Sequence, residues 1–210
     1  MIGSAQSAVQ KKICSKKRIE VGTTYFFPKK EGRKGDIMSA ELNRKVFEDF
    51  SYGLYIATSL NGDRLNGQII NTAIQVTSDP PRVAVIINKK NLTHEYILKS
   101  KAFAVSVLDE IAPLIFFGPF GFRSGRDVDK LAKVQFKRGI TGCPLITEYT
   151  LSVLEAKVID QTDVGTHTIF IGDTVNSEVL KEGKPLTYRY YRENLKGKQS
   201  VNSPTYTPTK

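Results

Sequence analysis

The chain has 210 residues, 40% of them hydrophobic, and a formal net charge of +10 at pH 7. This length favours one compact domain with terminal extensions, and the hydrophobic fraction is large enough to build a sizeable core. No apolar run approaches the ~18 residues that a membrane span needs, and no secretory signal follows Met1, so the sequence predicts a cytoplasmic protein without membrane contact.

Most of the positive charge lies in residues 1–37, which carry nine basic and three acidic side chains. This segment has a net charge of +6 and leaves +4 to the remaining 173 residues. It shows no helical or strand period, whereas an amphipathic pattern follows Met38. We therefore predict a leader at 1–37, disordered or not native, and a folded domain at 38–192. The alternative is a basic arm for nucleic acid or a membrane, although the mildly basic body predicts no nucleic-acid binding.

From Met38 onwards the patterns predict a mainly β protein with a few short helices. In chain order we expect a helix at about 41–50, strands near 52–59, 68–78 and 82–88, a helix at about 92–100, a strand at 102–108, an irregular stretch at 110–125, a helix at about 126–133, and long strands near 150–162 and 166–175. The polar tail at 193–210 is expected to be a flexible or docking extension.

The predicted strands favour a closed barrel. Val83, Val85 and Ile87 alternate with Ala84 and Ile86, so both faces of that strand are expected to be buried. Many short strands with few helices suit a barrel, which also removes exposed strand edges. The alternative is an α/β fold, but the predicted helices do not alternate regularly with the strands.

Missing motifs exclude several enzyme classes. The chain contains no G-x-S-x-G, P-loop, H-E-x-x-H or G-x-G-x-x-G pattern, which argues against a serine hydrolase, a nucleotide hydrolase, a zinc protease and a Rossmann dinucleotide site. Its two histidines, His94 and His167, are far apart in sequence, and neither is placed beside a nucleophile. Cys14 and Cys143 cannot form a metal site alone, so we expect free thiols and no bound metal.

The first candidate binding segment is NGQIINTAIQVTSDPP at 66–81. Asn66–Gly67 predicts a turn before a strand. That strand is expected to place Ile70, Thr72, Ile74 and Val76 on one face, and Asn71, Ala73, Gln75 and Thr77, a mostly polar set, on the other. A ladder of uncharged donors and acceptors suits a planar, neutral heterocycle. The alternative is an ordinary half-exposed strand.

The second candidate segment is NKKNLTHEYI at 88–97. Lys89 and Lys90 follow a predicted strand, and Asn91 or Thr93 is a suitable N-cap for the next helix. Lysines and hydroxyl groups beside a helix N-terminus can hold a monophosphate. The alternative is a capped helix with solvated lysines.

Two shorter segments complete the set. In GFRSGRDVDK, Ser124 and Asp127 predict a helix capping box, and Arg126 either reaches a phosphate or pairs with Asp129. In VGTHTIFIGD, a tight turn at 163–165 precedes His167, which comes early in a strand. This histidine either lines an open pocket or lies on the barrel rim.

Taken in order, these segments resemble the flavin reductase-like, FMN-binding split-barrel family. The likeness begins at SYGLYIATS, covers about residues 40–192, and depends on the order and spacing of the segments rather than on a single motif. Within the family it is strongest to the flavin domain of high-molecular-weight rubredoxins and to small ferric reductases. The resemblance implies a homodimer of six-stranded Greek-key barrels, with FMN near the subunit interface and NADH or NADPH as co-substrate.

The resemblance also implies a set of site residues. It places the flavin ring against Gln68, Ile69, Ile70, Asn71 and Thr72, and the phosphate near Ser78, Lys89, Asn91 and Thr93. Asn88, His94 and Arg126 complete the expected cofactor-binding set. It places His167 at the approach of the nicotinamide, which makes this histidine the catalytic candidate.

The implied activity is hydride transfer from NAD(P)H to the flavin, followed by electron transfer to free flavin, a ferric chelate, or a rubredoxin or flavodiiron-type partner. The tail resembles the linker that precedes a rubredoxin domain, but rubredoxin's paired C-x-x-C loops are absent, so we expect any rubredoxin to be a separate polypeptide. Two alternatives are an FMN electron carrier that does not oxidise nicotinamide and a nucleic-acid-binding module.

Overall fold

Seven antiparallel strands form one sheet in a computed structural model of the chain, which describes residues 43–206. The sheet order is β2-β1-β5-β8-β9-β4-β3. Its strands are β1 (Tyr55–Asn61), β2 (Arg64–Ile70), β3 (Ala73–Ser78), β4 (Pro81–Asn88), β5 (Ala102–Leu108), β8 (Thr150–Asp163) and β9 (His167–Val179). A separate two-stranded sheet pairs β6 (Phe136–Arg138) with β7 (Pro144–Ile146).

Helices are few and short, which confirms the mainly β prediction. They are α1 (Leu92–Ser100), α2 (Gly118–Phe122) and α3 (Tyr188–Glu193), with 3₁₀ turns at Arg44–Asp49 and Leu114–Phe117. Helix α1 and strand β5 have the bounds that the sequence predicts, and the tight turn before His167 is also confirmed. None of the helices within 43–206 is long and apolar enough to cross a membrane.

The sheet has seven strands where the resemblance implied six, because the strand predicted near 68–78 is interrupted. Strand β2 ends at Ile70 and β3 begins at Ala73, with Asn71 and Thr72 between them outside the sheet. The predicted polar ladder therefore does not run continuously along one strand, and the register of β3 shifts again between Gln75 and Thr77. The two strands instead form opposite edges of the sheet.

The turn predicted at Asn66–Gly67 is wrong. Both residues lie inside β2, where Asn66 pairs with Ser59 and Gly67 with Thr58 on β1. The hairpin turn comes four residues earlier at Gly62, whose φ of 58° is in the left-handed region that glycine adopts at little cost.

The helix predicted at 126–133 is absent. The backbone N–H of Arg126 donates to Ser124 Oγ at 3.1 Å, and the N–H of Leu131 donates to Asp129 Oδ1 at 2.9 Å. Short polar side chains that bond the nearby backbone in this way compete with helix formation. The segment is consequently a series of turns.

Two groups of buried side chains make up most of the core. One lies around Ile87, Ile97, Phe103 and Phe170, which are fully buried. The other contains Leu54, Ile56, Leu108, Phe117, Leu186 and Tyr191, and joins β1 to α2 and α3. Strand β4 buries side chains on both faces, as its sequence predicts.

Cys143 is a free thiol buried in the fold, and burial raises its pKa to about 11. Cys14 and the predicted leader at 1–37 lie outside the described residues. Within 43–206, no group of three or more potential ligands is placed to hold a metal ion.

A fully buried carboxylate, Glu155 on β8, fixes the loop between β6 and β7. It accepts hydrogen bonds from the backbone N–H groups of Ile140 and Thr141 at 2.9 and 2.8 Å, from Thr141 Oγ1, and from Asn176 Nδ2 at 2.9 Å. Burial alone would raise the pKa of Glu155, but the hydrogen bonds from Thr141 and Asn176 hold it below its usual value. The charged form therefore stabilises the loop.

We predict that Glu155→Gln lowers the free energy of unfolding by about 2–3 kcal/mol at pH 7, because an amide N–H₂ then faces buried N–H donors. Since the folded pKa is lowered, this contribution is present above the unfolded pKa and is lost as pH falls through the folded value. Urea unfolding at several pH values measures it. The control is Glu178→Gln, which removes an exposed pair with Lys137 and should cost less than about 1 kcal/mol. Equal losses in the two variants would contradict the assignment.

Candidate functional site

A cavity of about 360 Å³ opens between the end of β2, the N-terminus of α1, the end of α2 with the turns that follow it (residues 120–126), and the C-terminal tail at 198–204. Eight of the thirteen site residues expected from the sequence line it: Gln68, Ile69, Ile70, Asn71, Asn88, Asn91, Thr93 and Arg126. The fold thus brings two separate sequence segments, 66–71 and 88–93, to the same place.

The β2 wall presents two unpartnered amide oxygens. Gln68 Oε1 and Asn71 Oδ1 are buried and accept no hydrogen bond in the structure, although Asn71 Nδ2 donates to Thr205 Oγ1 at 2.8 Å. Only one other buried side-chain atom within 43–206 is in this state, Ser106 Oγ. Burying a polar atom without a partner costs about 1–3 kcal/mol, so two such atoms lining one cavity indicate a ligand that donates to them.

A second wall is the start of α1. Asn91 is the N-cap residue but makes no side-chain cap bond, because its Oδ1 accepts from Asn202 Nδ2 at 2.8 Å. Thr93 is fully buried, and its Oγ1 accepts from Asn66 Nδ2 at 2.8 Å, which leaves the hydroxyl proton free to donate. Asn88 Oδ1 accepts from the backbone N–H of Lys90 at 3.0 Å and so shapes the turn before the helix. This end of the cavity offers donors and the positive end of a helix dipole.

The turn segment after α2 supplies cations. Arg126 forms an ion pair with Glu95 and donates to Lys90 O at 3.3 Å, rather than pairing with Asp129. Lys130 is buried, and its Nζ donates to Gly67 O at 3.0 Å. Burial lowers the pKa of Lys130 to about 8.

The C-terminal tail forms the fourth wall, and it also covers His167. The ring Nε2 of His167 donates to Asn202 O at 3.1 Å, and Nδ1 is 2.8 Å from Thr166 Oγ1. The tail bonds both cavity walls as well, through Asn202 to Asn91 and Thr205 to Asn71. The predicted flexible extension is therefore a structural part of the site up to residue 206.

Five residues expected at the site do not line the cavity. Thr72 bonds the backbone of Ile86, Ser78 is exposed at the end of β3, and Lys89 forms an ion pair with Asp163. His94 Nε2 lies 2.8 Å from Thr168 Oγ1, and burial together with Lys89 lowers the pKa of this histidine. The fifth is His167.

Asn66 and Lys90 also line the cavity and belong to the candidate segments, although they are not among the thirteen expected residues. Sequence reasoning missed Phe120, Lys130, Tyr191 and the tail at 198–204. Lys130 had a sequence signal, since it ends the GFRSGRDVDK segment, but a lysine in a polar run is usually solvated. The tail had none, because its contacts with β2, α1 and His167 join residues far apart in the chain.

Comparison with known proteins decides the family. Residues 47–197 match the family described as flavin reductase like domain. The chain belongs to this family. The resemblance read from the sequence is thereby confirmed, and the cavity described above is the candidate flavin site.

Relatives and solved structures agree with the assignment. The chain is 46% identical over 166 residues to a high molecular weight rubredoxin from Moorella thermoacetica. The aligned region covers 79% of this chain and 72% of that protein. It is also 46% identical over 166 residues to a ferric-chelate reductase (NAD(P)H) from Archaeoglobus fulgidus, covering 79% and 98%. The solved NADH:FAD oxidoreductase SgcE6 of Streptomyces globisporus C-1027 matches with a TM-score of 0.60 and 28% identity, over 67% of this chain and 83% of that one.

The cavity suits a flavin. A flavin ring is planar and neutral when oxidised, and its pyrimidine edge carries an imide N–H between two carbonyl oxygens. The imide N–H can donate to one of the free acceptors of Gln68 and Asn71, and the remaining N–H groups of these amides can donate to the ring carbonyls.

We predict that the tail slows the release of bound flavin. A chain ending at Lys198 loses the hydrogen bonds of Asn202 and Thr205 to the cavity walls, each worth about 1 kcal/mol. The dissociation rate of flavin, followed by fluorescence recovery, should rise about tenfold or more. Urea unfolding checks that the shortened chain is folded. An unchanged flavin dissociation rate in a folded, shortened chain would show that the tail does not cover the bound flavin.

Proposed function

We propose that this protein is an FMN-containing oxidoreductase that is reduced by NADH or NADPH and passes electrons to an acceptor. The observation that carries the proposal is the polarity of the cavity. One wall has uncharged amides with free acceptors, Gln68 and Asn71, and the other has a helix N-terminus beside Lys90 and Thr93. FMN has the same polarity, a neutral ring at one end and a phosphate at the other.

When bound, the flavin accepts a hydride from a nicotinamide and supplies the redox chemistry. The chain's own residues bind and orient it. Gln68 and Asn71 hold the ring edge, while Asn91 and Thr93 direct donors at the phosphate. His167 is our candidate for contact with the nicotinamide. The hydrogen bond from His167 Nε2 to Asn202 O in the tail must break before that contact can form.

The acceptor and the assembly are also proposals. The relatives, a high molecular weight rubredoxin and a ferric-chelate reductase, favour a ferric chelate or a rubredoxin-type partner, with free flavin as a further acceptor. A homodimer is favoured by the edge strand β3, which exposes Ile74 and Val76 by 62% and 44%. Exposed apolar side chains on an edge strand are typical of a surface that binds another chain.

Anaerobic mixing of the FMN-loaded protein with NADH or NADPH tests the activity. The proposal predicts bleaching of the flavin absorbance within seconds with at least one nicotinamide, and reoxidation on addition of ferric chelate. An electron carrier without nicotinamide oxidation would bind FMN and stay oxidised with both. A chain that binds no flavin would contradict the proposal entirely.

The phosphate assignment makes a second prediction. Lys90→Ala and Thr93→Ala should each weaken FMN binding about 10–100-fold, because charge-assisted hydrogen bonds are worth about 1.5–3 kcal/mol. Riboflavin, which lacks the phosphate, should bind with nearly unchanged affinity. Fluorescence titration of the two flavins measures both effects.

The matched control for Lys90 is its neighbour Lys89. The sequence places the phosphate at Lys89, whereas the structure pairs this side chain with Asp163 and leaves Lys90 in the cavity lining. We expect Lys89→Ala to change FMN affinity less than Lys90→Ala. A larger effect at Lys89 favours the assignment made from the sequence, and equal loss for FMN and riboflavin would mean that these residues support only the fold.

A further inference from the structure

Lys130 is a buried cation without a carboxylate partner. It is 7% exposed, and among the described residues it forms no ion pair. Its Nζ makes one hydrogen bond, to Gly67 O at 3.0 Å, although an ammonium group has three donors. Burial of an unpaired charge is unfavourable, and here it lowers the pKa to about 8. An ammonium group buried at this free-energy cost in a binding cavity indicates a functional role for its charge.

The other cations that line the cavity differ from Lys130. Lys90, Arg123, Arg126 and Lys198 are all exposed, and Arg126 is also paired with Glu95. These exposed groups lie at the solvent side, where charge is screened. Lys130 is the buried cation of this lining, so its field on a bound molecule is the least attenuated by water.

The position of Lys130 is fixed on two sides. Its ammonium bonds the backbone of Gly67, the residue that precedes Gln68 on β2. The turns around it are held by Ser124 and Asp129, which bond the backbone at Arg126 and Leu131. The charge is therefore fixed beside the β2 wall, at the residue that precedes Gln68.

We propose that the charge of Lys130 stabilises the negative charge that a bound flavin ring gains on reduction. The inference rests on the proposed function. A hydride carries two electrons and one proton, so the neutral ring gains one negative charge while the nicotinamide becomes the oxidised cation. A fixed ammonium beside the ring favours the reduced state and so raises the midpoint potential.

The test compares Lys130→Met with the control Lys133→Met, which removes an exposed lysine three residues away. The readouts are the dissociation constants of oxidised and reduced flavin and the two-electron midpoint potential. Lys130→Met should weaken the binding of reduced flavin about 10–100-fold more than the binding of oxidised flavin. This difference lowers the midpoint potential by about 30–60 mV. The shift should be the same with FMN and riboflavin, because both have the same ring. Lys133→Met should leave the potential unchanged.

Other outcomes overturn the proposal in distinguishable ways. An unchanged potential in a variant that still binds flavin would refute the role of Lys130 and leave the proposed function intact. Equal weakening of oxidised and reduced FMN, with riboflavin unaffected, would assign Lys130 to the phosphate. Failure of the unaltered protein to bind any flavin would instead refute the proposed function. If Lys130→Met does not fold, Lys130→Gln serves as the neutral variant, because its amide can still donate to Gly67 O.

Discussion

Between β2 and β3 the chain leaves the sheet for two residues, Asn71 and Thr72, and the two strands continue at opposite edges of the seven-stranded sheet. The backbone carbonyl of Thr72 accepts from the N–H of Ile86 at 3.2 Å, which keeps the departing chain attached to β4. The amide of Asn71, no longer part of a strand, meets the tail at Thr205. A continuous strand would have directed alternate side chains to opposite faces. The interruption instead leaves Gln68 and Asn71 in the wall of one cavity.

The elements that the sequence predicts well are those with a local cause. Helix α1 begins after a polar N-cap residue and ends where Lys101 adopts a φ of 54°, and β5 is a run of apolar residues with few polar interruptions. The wrong predictions concern segments whose local sequence suits more than one structure. Asn66–Gly67 has the composition of a turn, but Gly62 four residues earlier fits the β1–β2 hairpin. The Ser124 segment has the composition of a capped helix, but its polar side chains bond their own backbone.

The site was predictable only in part, for the same reason. The segments at 66–71 and 88–93 have donor and acceptor patterns that indicate a polar ligand, and the fold brings them together. Lys130 and the tail at 198–204 could not be identified as site residues, because their contacts are distant in sequence. Lys130 bonds Gly67 across 63 positions, and Asn202 of the tail bonds Asn91 across 111 positions. The sequence also cannot distinguish neighbouring residues of the same type. Lys89 and Lys90 are equivalent in the sequence, yet one pairs with Asp163 and the other lines the cavity.

A crystal structure of the protein grown with FMN tests the central claim most directly, because the claim concerns where and in which orientation the flavin lies. The account predicts the pyrimidine edge of the ring within hydrogen-bond distance of the Gln68 and Asn71 amides, and the phosphate at the α1 N-terminus beside Lys90 and Thr93. FMN bound outside this cavity, or bound with its phosphate at the β2 wall, would contradict the account.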